Sequence, residues 1–147
     1  MIENQETGAL EAFNFDQLIE NVPELKRFNY RIDSYQFTPP IDSSDMEPSL
    51  WSKLARIIVE NYNKYDGFVI CHGTDTLAYT AAALSYMIQN SAKPIVITGA
   101  QKPINMDVTD ARSNLLDSFI YAADDDSQNV NIVFDGKVIV GTRARKE

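Results

Sequence analysis

The sequence predicts an α/β fold in which a doubly wound, mostly parallel sheet is flanked by helices. Two continuous apolar runs, at residues 67–71 and 95–97, are typical of strands buried on both faces of a parallel sheet. Apolar residues at helical spacing stand before, between and after these runs. Strands and helices in alternation imply right-handed crossovers, with helices packed on the sheet.

The part of the chain before the first apolar run has weaker patterns. Residues 1–12 show no periodicity, which predicts a mobile loop, and residues 15–22 suit a short helix. Residues 30–37 alternate as a strand would, and Pro39 and Pro40 end that pattern. We therefore expect one short helix and one strand here.

The central and C-terminal elements follow from clearer spacing. Pro48 opens a helix that extends to about Tyr65, because proline is favoured in the first turn of a helix. Asp135 and Gly136 are residues preferred in a tight hairpin turn. The remaining elements are predicted as helices at 77–88 and 108–123 and as strands at 130–134 and 137–140.

Composition limits the class of protein before any motif is considered. The chain has 147 residues, 44% of them hydrophobic and 23% charged, which fits one compact domain. Its net charge of -8 argues against nucleic acid or an anionic membrane as a partner. No apolar run approaches the roughly 20 residues that span a bilayer, and no signal peptide is recognised. The single cysteine, Cys71, is expected to be a buried small hydrophobe, which suits a reducing compartment.

The first apolar run ends in polar residues of the kind that form ligand sites. In a doubly wound sheet, ligands bind where strands end and helices begin, because helix N-termini offer free N–H groups to anions. The run continues into residues 72–76, HGTDT, where a glycine precedes a hydroxyl, a carboxylate and a second hydroxyl. Thr74 and Asp75 suit a helix N-cap, and they also suit a nucleophile or proton relay beside an acid.

Three further features have both a structural and a functional interpretation. Residues 98–103 follow the second apolar run and either present backbone groups to a ligand or form an ordinary loop. Lys146 lies in a basic tail that is either solvated or part of a site. His72, the single histidine, is interpreted as a hydrogen-bonded structural group rather than a catalytic base.

Metal binding has little support, because the aspartates lack a compact ligand spacing.

Several short motifs follow one another along nearly the whole chain, and their order matters as much as their residues. They are residues 42–46 (DSSDM), 65–76 (YDGFVICHGTDT), 78–80 (AYT), 98–103 (TGAQKP), Asp110, Asn114 and 141–146 (GTRARK). Together they resemble the asparaginase/glutaminase family, and most closely its type I cytoplasmic L-asparaginases. The resemblance implies a flavodoxin-like N-terminal domain and hydrolysis of the side-chain amide of L-asparagine through an acyl-enzyme. It implies a cytoplasmic protein with no metal or organic cofactor.

The resemblance also implies roles for particular residues. Thr74, Asp75 and Lys146 match a threonine–aspartate–lysine group that is catalytic in the family. The chemistry is reasonable, because an amine kept neutral by burial accepts a proton from a hydroxyl while a carboxylate orients it. Asp75 is also expected to contact the substrate ammonium, and the backbone N–H of Thr74 to stabilise an oxyanion.

Substrate binding is assigned by the same resemblance to four other residues. Ser43 matches the family's ligand for the substrate α-carboxylate, with Ser44 and Gly73 beside it. Ala100 is expected to hold the substrate amide through its backbone. Full-length members of the family form homodimers or homotetramers, so such an assembly is expected.

The chain departs from the family pattern at both ends. The Thr-Gly-Gly-Thr-Ile segment that supplies the first nucleophilic threonine is not found, and residues 1–12, which match the family's lid, lack a tyrosine. The smaller C-terminal domain is not found either. From these departures we expect residues 1–147 to be a partial N-terminal domain of the family that lacks its first strand. Such a piece is expected to be aggregation-prone and inactive on its own.

Two other functions remain open from the sequence. One is the glutamine-hydrolysing subunit of a tRNA-dependent amidotransferase, which shares the HGTDT block. The other is a non-catalytic amino-acid-binding or signalling α/β module, in which an acidic loop and a C-terminal lysine resemble phospho-acceptor domains. The adjacency of Thr74 and Asp75 argues against the signalling module, because phospho-acceptor domains place these groups on separate strands.

Overall fold

The computed structural model describes residues 2–3, 10–11 and 15–147. Helices and strands alternate through most of this part of the chain, as the apolar spacing predicts. Their bounds are β1 Ile2–Glu3, β2 Leu10–Glu11, α1 Phe15–Asn21, α2 Pro48–Asn61, β3 Phe68–Cys71, α3 Leu77–Met87, β4 Pro94–Thr98, α4 Ala111–Ala123, β5 Asn129–Phe134 and β6 Lys137–Val140, with 3-10 turns at Pro23–Arg27 and Ser43–Asp45.

A four-stranded sheet with the order β3-β4-β5-β6 forms the centre of the fold. The first three strands are parallel, and β6 returns antiparallel to β5. Every residue of β4 is buried, which agrees with its continuous apolar sequence. Asp135 and Gly136 have φ angles of 51° and 67°, the left-handed values of a tight hairpin turn. The predicted α/β class, the mostly parallel sheet and the hairpin are confirmed.

The crossover helices α3 and α4 lie on opposite faces of the sheet. Leu84 of α3 packs in one buried cluster with Ile95 of β4, whereas Leu115 of α4 packs in a second cluster with Val69 of β3. Val69 pairs with Val96, so its side chain points to the face opposite Ile95. The sheet is therefore doubly wound.

This arrangement overturns one prediction, that every crossover is right-handed. Since β3, β4 and β5 follow one another across the sheet in chain order, two crossovers with helices on opposite faces must have opposite hands. The physical reason lies in the second buried cluster, where Leu18 and Val22 from the region of α1 supply the apolar surface against which α4 packs. Burial on that face outweighs the usual preference for one hand.

Two predicted elements in the first part of the chain differ from the structure. Residues 30–37 form no strand, because no strand of the sheet lies beside them, and Tyr35 is 63% exposed. Within residues 1–12, predicted as a loop, β1 and β2 pair antiparallel. Most of that segment falls outside the described residues.

The predicted boundaries shift in α2 and α4. The helix α2 ends at Asn61 rather than near Tyr65. The helix α4 begins at Ala111 rather than at residue 108, because the hydroxyl of Thr109 accepts the backbone N–H of Ala111 and so closes a turn before the helix. None of the described helices is long and apolar enough to cross a bilayer.

The prediction that Cys71 is buried is wrong. Cys71 is exposed at the end of β3, which is an edge strand among the described residues. A continuous apolar run predicts burial on both faces of the sheet, but it carries no information about whether the strand has neighbours on both sides.

Candidate functional site

The carboxyl ends of β3 and β4 bring two polar loops into contact. The backbone N–H of His72 donates to the carbonyl of Thr98 at 2.8 Å, which extends the β3–β4 pairing by one residue. A Cβ added at Gly99 would lie 2.4 Å from the carbonyl oxygen of His72 and 3.4 Å from Cγ2 of Thr74. The lack of a side chain at Gly99 therefore lets the loop that carries Thr74 approach the end of β4 closely.

Thr74, Asp75 and Lys146 meet in this region although the lysine is more than 70 residues away in the sequence. The ammonium nitrogen of Lys146 lies 3.1 Å from Oγ1 of Thr74 and 2.8 Å from Oδ1 of Asp75, and it donates to both. The expectation that this amine is buried is wrong for the described residues, because the side chain of Lys146 is 42% exposed and forms an ion pair with the 60% exposed Asp75.

Ser43 packs directly against the glycine that precedes the threonine. Ser43 is buried, and a Cβ added at Gly73 would lie 2.4 Å from its Oγ. The hydroxyl of Thr76 donates to the carbonyl of Ser43 at 2.6 Å, so the Ser43–Asp45 turn is attached to the start of α3. The two segments that the resemblance assigns to substrate binding thus form one surface.

Ser44 has a different environment from Ser43. Its backbone N–H and its hydroxyl both donate to Oδ1 of Asp42, at 2.9 and 2.8 Å. These bonds favour the ionised carboxylate and lower the pKa of Asp42. The hydroxyl proton of Ser44 is therefore held by Asp42, while its oxygen stays available to accept a hydrogen bond.

The loop that carries Ala100 is hydrogen-bonded to Asp110, just before α4, and to Asn114 within α4. The carboxylate of Asp110 accepts the backbone N–H groups of Gln101 and Lys102, at 2.9 and 3.0 Å. The amide of Asn114, which is 1% exposed, donates to the carbonyl of Gly99 at 2.9 Å and accepts the backbone N–H of Asp135 at 2.9 Å. The sequence pointed to Asp110 and Asn114 only through the family resemblance, and no pattern in it indicated what they bind.

His72 is part of a hydrogen-bonded chain behind the glycine. Its Nδ1 lies 2.6 Å from the carbonyl oxygen of Gly73, and its Nε2 lies 2.8 Å from Oγ1 of Thr80. The indole N–H of Trp51 donates to the same Thr80 oxygen at 2.8 Å. Burial lowers the pKa of His72. The prediction that His72 is hydrogen-bonded is confirmed. The connection to Trp51 was missed because the three side chains lie on separate elements.

The described residues contain no group of three His, Cys, Asp or Glu side chains arranged to hold a metal ion. The groups that meet at the sheet end are a hydroxyl, a carboxylate, an amine and backbone N–H groups. This set is suited to proton transfer and to the binding of an amino acid's charged ends.

Fold and site together define an α/β domain with a threonine–aspartate–lysine group at the carboxyl end of a parallel sheet. Residues 1–147 match the family model described as Asparaginase, N-terminal. The chain is 42% identical to L-asparaginase 1 of Escherichia coli K12 over 124 residues, which are 84% of this chain and 36% of that relative. It is 48% identical to the L-asparaginase of Dirofilaria immitis over 127 residues, 85% of this chain and 22% of that relative.

Solved structures give the same result. The crystal structure of L-asparaginase I from Vibrio cholerae matches 99% of this chain and 45% of its own, with 38% identity and a TM-score of 0.87. The chain belongs to the asparaginase family and corresponds to the N-terminal part of its relatives. It spans about a third or less of the length of the two curated relatives above. A further relative, a glutamyl-tRNA(Gln) amidotransferase subunit of Methanopyrus kandleri, is 38% identical over 134 residues, 89% of this chain and 29% of that relative.

Proposed function

We propose that the polypeptide to which these residues belong hydrolyses L-asparagine to L-aspartate and ammonia through a threonine acyl-enzyme. The observation that supports this most strongly is the contact of the Lys146 amine with both Thr74 and Asp75. A hydroxyl and a carboxylate that share one amine are groups that activate an oxygen nucleophile and return its proton to a leaving group.

In the proposed reaction a threonine oxygen attacks the side-chain amide carbon while its proton passes to an amine. A C–O bond forms, the C–N bond breaks, and the nitrogen leaves as ammonia with that proton. Water then attacks the ester, which releases aspartate and restores the hydroxyl. The family's first nucleophilic threonine lies in a segment not found in this sequence, so Thr74, Asp75 and Lys146 are proposed as the group that moves the proton. The uncharged form of Lys146 is the one that accepts it.

Substrate binding is proposed to use the surface between the Ser43–Asp45 turn and the start of α3. Ser43, with the backbone beside Gly73, receives the substrate α-carboxylate. Ser44 joins it when its hydroxyl turns from Asp42, to which it donates in the free protein. Asp75 contacts the substrate ammonium. The backbone of Ala100 holds the amide group, and the N–H of Thr74 faces the oxygen that becomes negatively charged in the tetrahedral intermediate.

The 147 residues alone are proposed to be inactive. Lys146 and Asp75 are both substantially exposed, so water competes for the hydrogen bonds that would position Thr74. We expect purified 147-residue protein to release no ammonia from L-asparagine above the buffer rate, and turnover comparable with that of a full-length relative would contradict this. The active form is proposed to be a cytoplasmic homodimer or homotetramer.

A second candidate is glutamine hydrolysis for tRNA-dependent amidation. It is supported by the identity with the amidotransferase subunit of Methanopyrus kandleri. The Ser43–Ser44 pair and residues 78–80 favour the type I asparaginases instead. The amidation function requires a glutamine substrate, whose side chain is one methylene longer.

One experiment separates the two candidates. The natural polypeptide that contains these residues is purified, and ammonia release is measured with L-asparagine, L-glutamine and D-asparagine. Asparaginase activity predicts a kcat/KM for L-asparagine at least about tenfold above that for L-glutamine, since one methylene in a tight pocket is worth about 1–3 kcal/mol. A preference for L-glutamine would support the amidotransferase subunit, and no release from either substrate would overturn both.

A further inference from the structure

We propose that His72 is a positioning residue that fixes the peptide unit between Gly73 and Thr74 and thereby aims the backbone N–H of Thr74. His72 itself need not touch the substrate. It acts through one hydrogen bond to the carbonyl oxygen of Gly73. Thr80 and Trp51 keep the proton of this bond on Nδ1 of His72. This inference rests on the proposed function, because it assigns a purpose to the Thr74 N–H in amide hydrolysis.

The donor and the acceptor in each hydrogen bond between Trp51, Thr80, His72 and Gly73 follow from the chemistry of the two groups that it joins. A carbonyl oxygen only accepts, so the His72 Nδ1 that lies 2.6 Å from the Gly73 oxygen must carry a proton. An indole N–H only donates, so Trp51 directs its proton to the Thr80 oxygen. The Thr80 hydroxyl then donates its own proton to Nε2 of His72, at 2.8 Å. A single tautomer of a neutral His72 satisfies all three bonds at once.

Burial makes this arrangement costly to change. Thr80 is fully buried at 0% exposure, so its hydroxyl has no water to turn to. If Nε2 of His72 also carried a proton, the Thr80 oxygen would face two donors, Nε2 and the indole N–H of Trp51. The hydroxyl proton of Thr80 would then have no acceptor among these side chains. The lowered pKa of His72 agrees with a ring that stays neutral. The chain therefore holds the Nδ1 proton on the Gly73 carbonyl.

The Gly73 carbonyl and the Thr74 N–H belong to the same planar trans peptide, so they point in opposite directions and rotate together. A glycine at position 73 is required, because any Cβ would meet Oγ of Ser43. Glycine also leaves this peptide freer to rotate than any other residue would. The hydrogen bond from His72 restricts this rotation. The glycine that Ser43 requires at position 73 therefore explains why a residue such as His72 is needed to fix the peptide.

Kinetics of the natural polypeptide that contains these residues give the first test. The substitution Thr80→Val keeps the shape but removes the hydroxyl, and Thr80→Ser keeps the hydroxyl as the matched control. Loss of an oxyanion donor lowers kcat by about 10²–10³-fold, so a misaimed donor should cost about 10- to 100-fold in Thr80→Val. We expect KM for L-asparagine to stay within about twofold. Thr80→Ser should retain most of kcat.

The second test reads the proton itself and needs no activity. Solid-state ¹⁵N NMR of histidine-labelled polypeptide, with the His72 signals identified by their loss in His72→Gln, should show the Nδ1–H tautomer. In Thr80→Val, Nε2 loses the hydroxyl that keeps it unprotonated while Nδ1 keeps the Gly73 carbonyl, so the Nε2 signal should shift, a fraction of the ring should adopt the Nε2–H form, and the Thr74 amide signal should move. An Nε2–H tautomer in the parent, or an unchanged kcat in Thr80→Val, would overturn the proposal. If the parent failed to hydrolyse L-asparagine, the proposed function would fall while the tautomer still tested the positioning chain.

Discussion

The contact between Gly73 and Ser43 predicts that Gly73→Ala damages the site through one added methyl group. The new Cβ would lie 2.4 Å from Oγ and 2.7 Å from Cβ of Ser43, where ordinary contacts are 3.4–4 Å. Ser43 must therefore move by about 1 Å, because turning its hydroxyl away would leave the contact with its Cβ. Its carbonyl is bonded to Thr76 and its side chain is buried, so the turn resists this movement. Overpacking of this size costs about 1–3 kcal/mol of unfolding free energy.

The effect on function should exceed the effect on stability. A displacement of about 1 Å in a binding group lowers activity by about 10²-fold, and we expect most of it as a raised KM for L-asparagine, since Ser43 is proposed to bind the α-carboxylate. Urea unfolding and steady-state ammonia release would be measured on the same preparations. Gly136→Ala is the control, because a Cβ there meets nothing within 4 Å and adds only the strain of its positive φ.

A double substitution isolates the cause. Ser43→Gly removes the atoms that the new methyl group meets, so the stability loss of Gly73→Ala should shrink by at least about 1 kcal/mol in the Ser43→Gly background. Additive losses would refute the reasoning, because they would mean that the two residues do not clash. A Gly73→Ala protein with unchanged KM would refute the proposed place of the carboxylate.

Two other predictions concern the loops that surround the site. Replacing Asn114 by Leu leaves the Gly99 carbonyl and the Asp135 N–H without partners, which should cost about 2–4 kcal/mol in urea unfolding, whereas the exposed Asn63→Leu should change stability by less than about 0.5 kcal/mol. The bonds from Ser44 hold the pKa of Asp42 below its ordinary value of 3.8, so this carboxylate stabilises the fold above that pH and the stabilisation fades as pH falls through the lower, folded-state value. Unfolding measured from pH 6 down to pH 2 should therefore show the parent and Asp42→Asn converging in acid, and a difference independent of pH would contradict the assignment.

The sequence predicted those elements whose signals are local. The β5–β6 hairpin depends on Asp135 and Gly136, which adopt positive φ angles readily, and the buried strand β4 shows itself by an unbroken apolar run. Residues 30–37 carry the alternation of a strand, but a strand also needs a partner, and a single sequence does not show which edges are free. The opposite hands of the two crossovers have the same origin, since they follow from where α1 packs.

The site divides in a similar way. Motif order placed Thr74, Asp75 and Lys146 in one group, and the structure brings their side chains into contact. The exposure of Lys146 and Asp75 could not be predicted, because it depends on the packing of the last residues rather than on their identity. The chain from Trp51 through Thr80 to His72 joins residues 29 and 8 positions apart, and no spacing rule connects them.

The most direct test of the central claim is the rate of L-asparagine hydrolysis by the natural polypeptide with Lys146→Met, compared with Lys137→Met. Both substitutions remove one amine, but the ion pair of Lys137 with Asp135 is long, at 3.9 Å, and lies in the β5–β6 turn. If Lys146 moves the proton for Thr74, kcat should fall by about 10²–10⁴-fold in Lys146→Met, with KM nearly unchanged, and Lys137→Met should match the parent. Equal rates in the two variants would contradict the account.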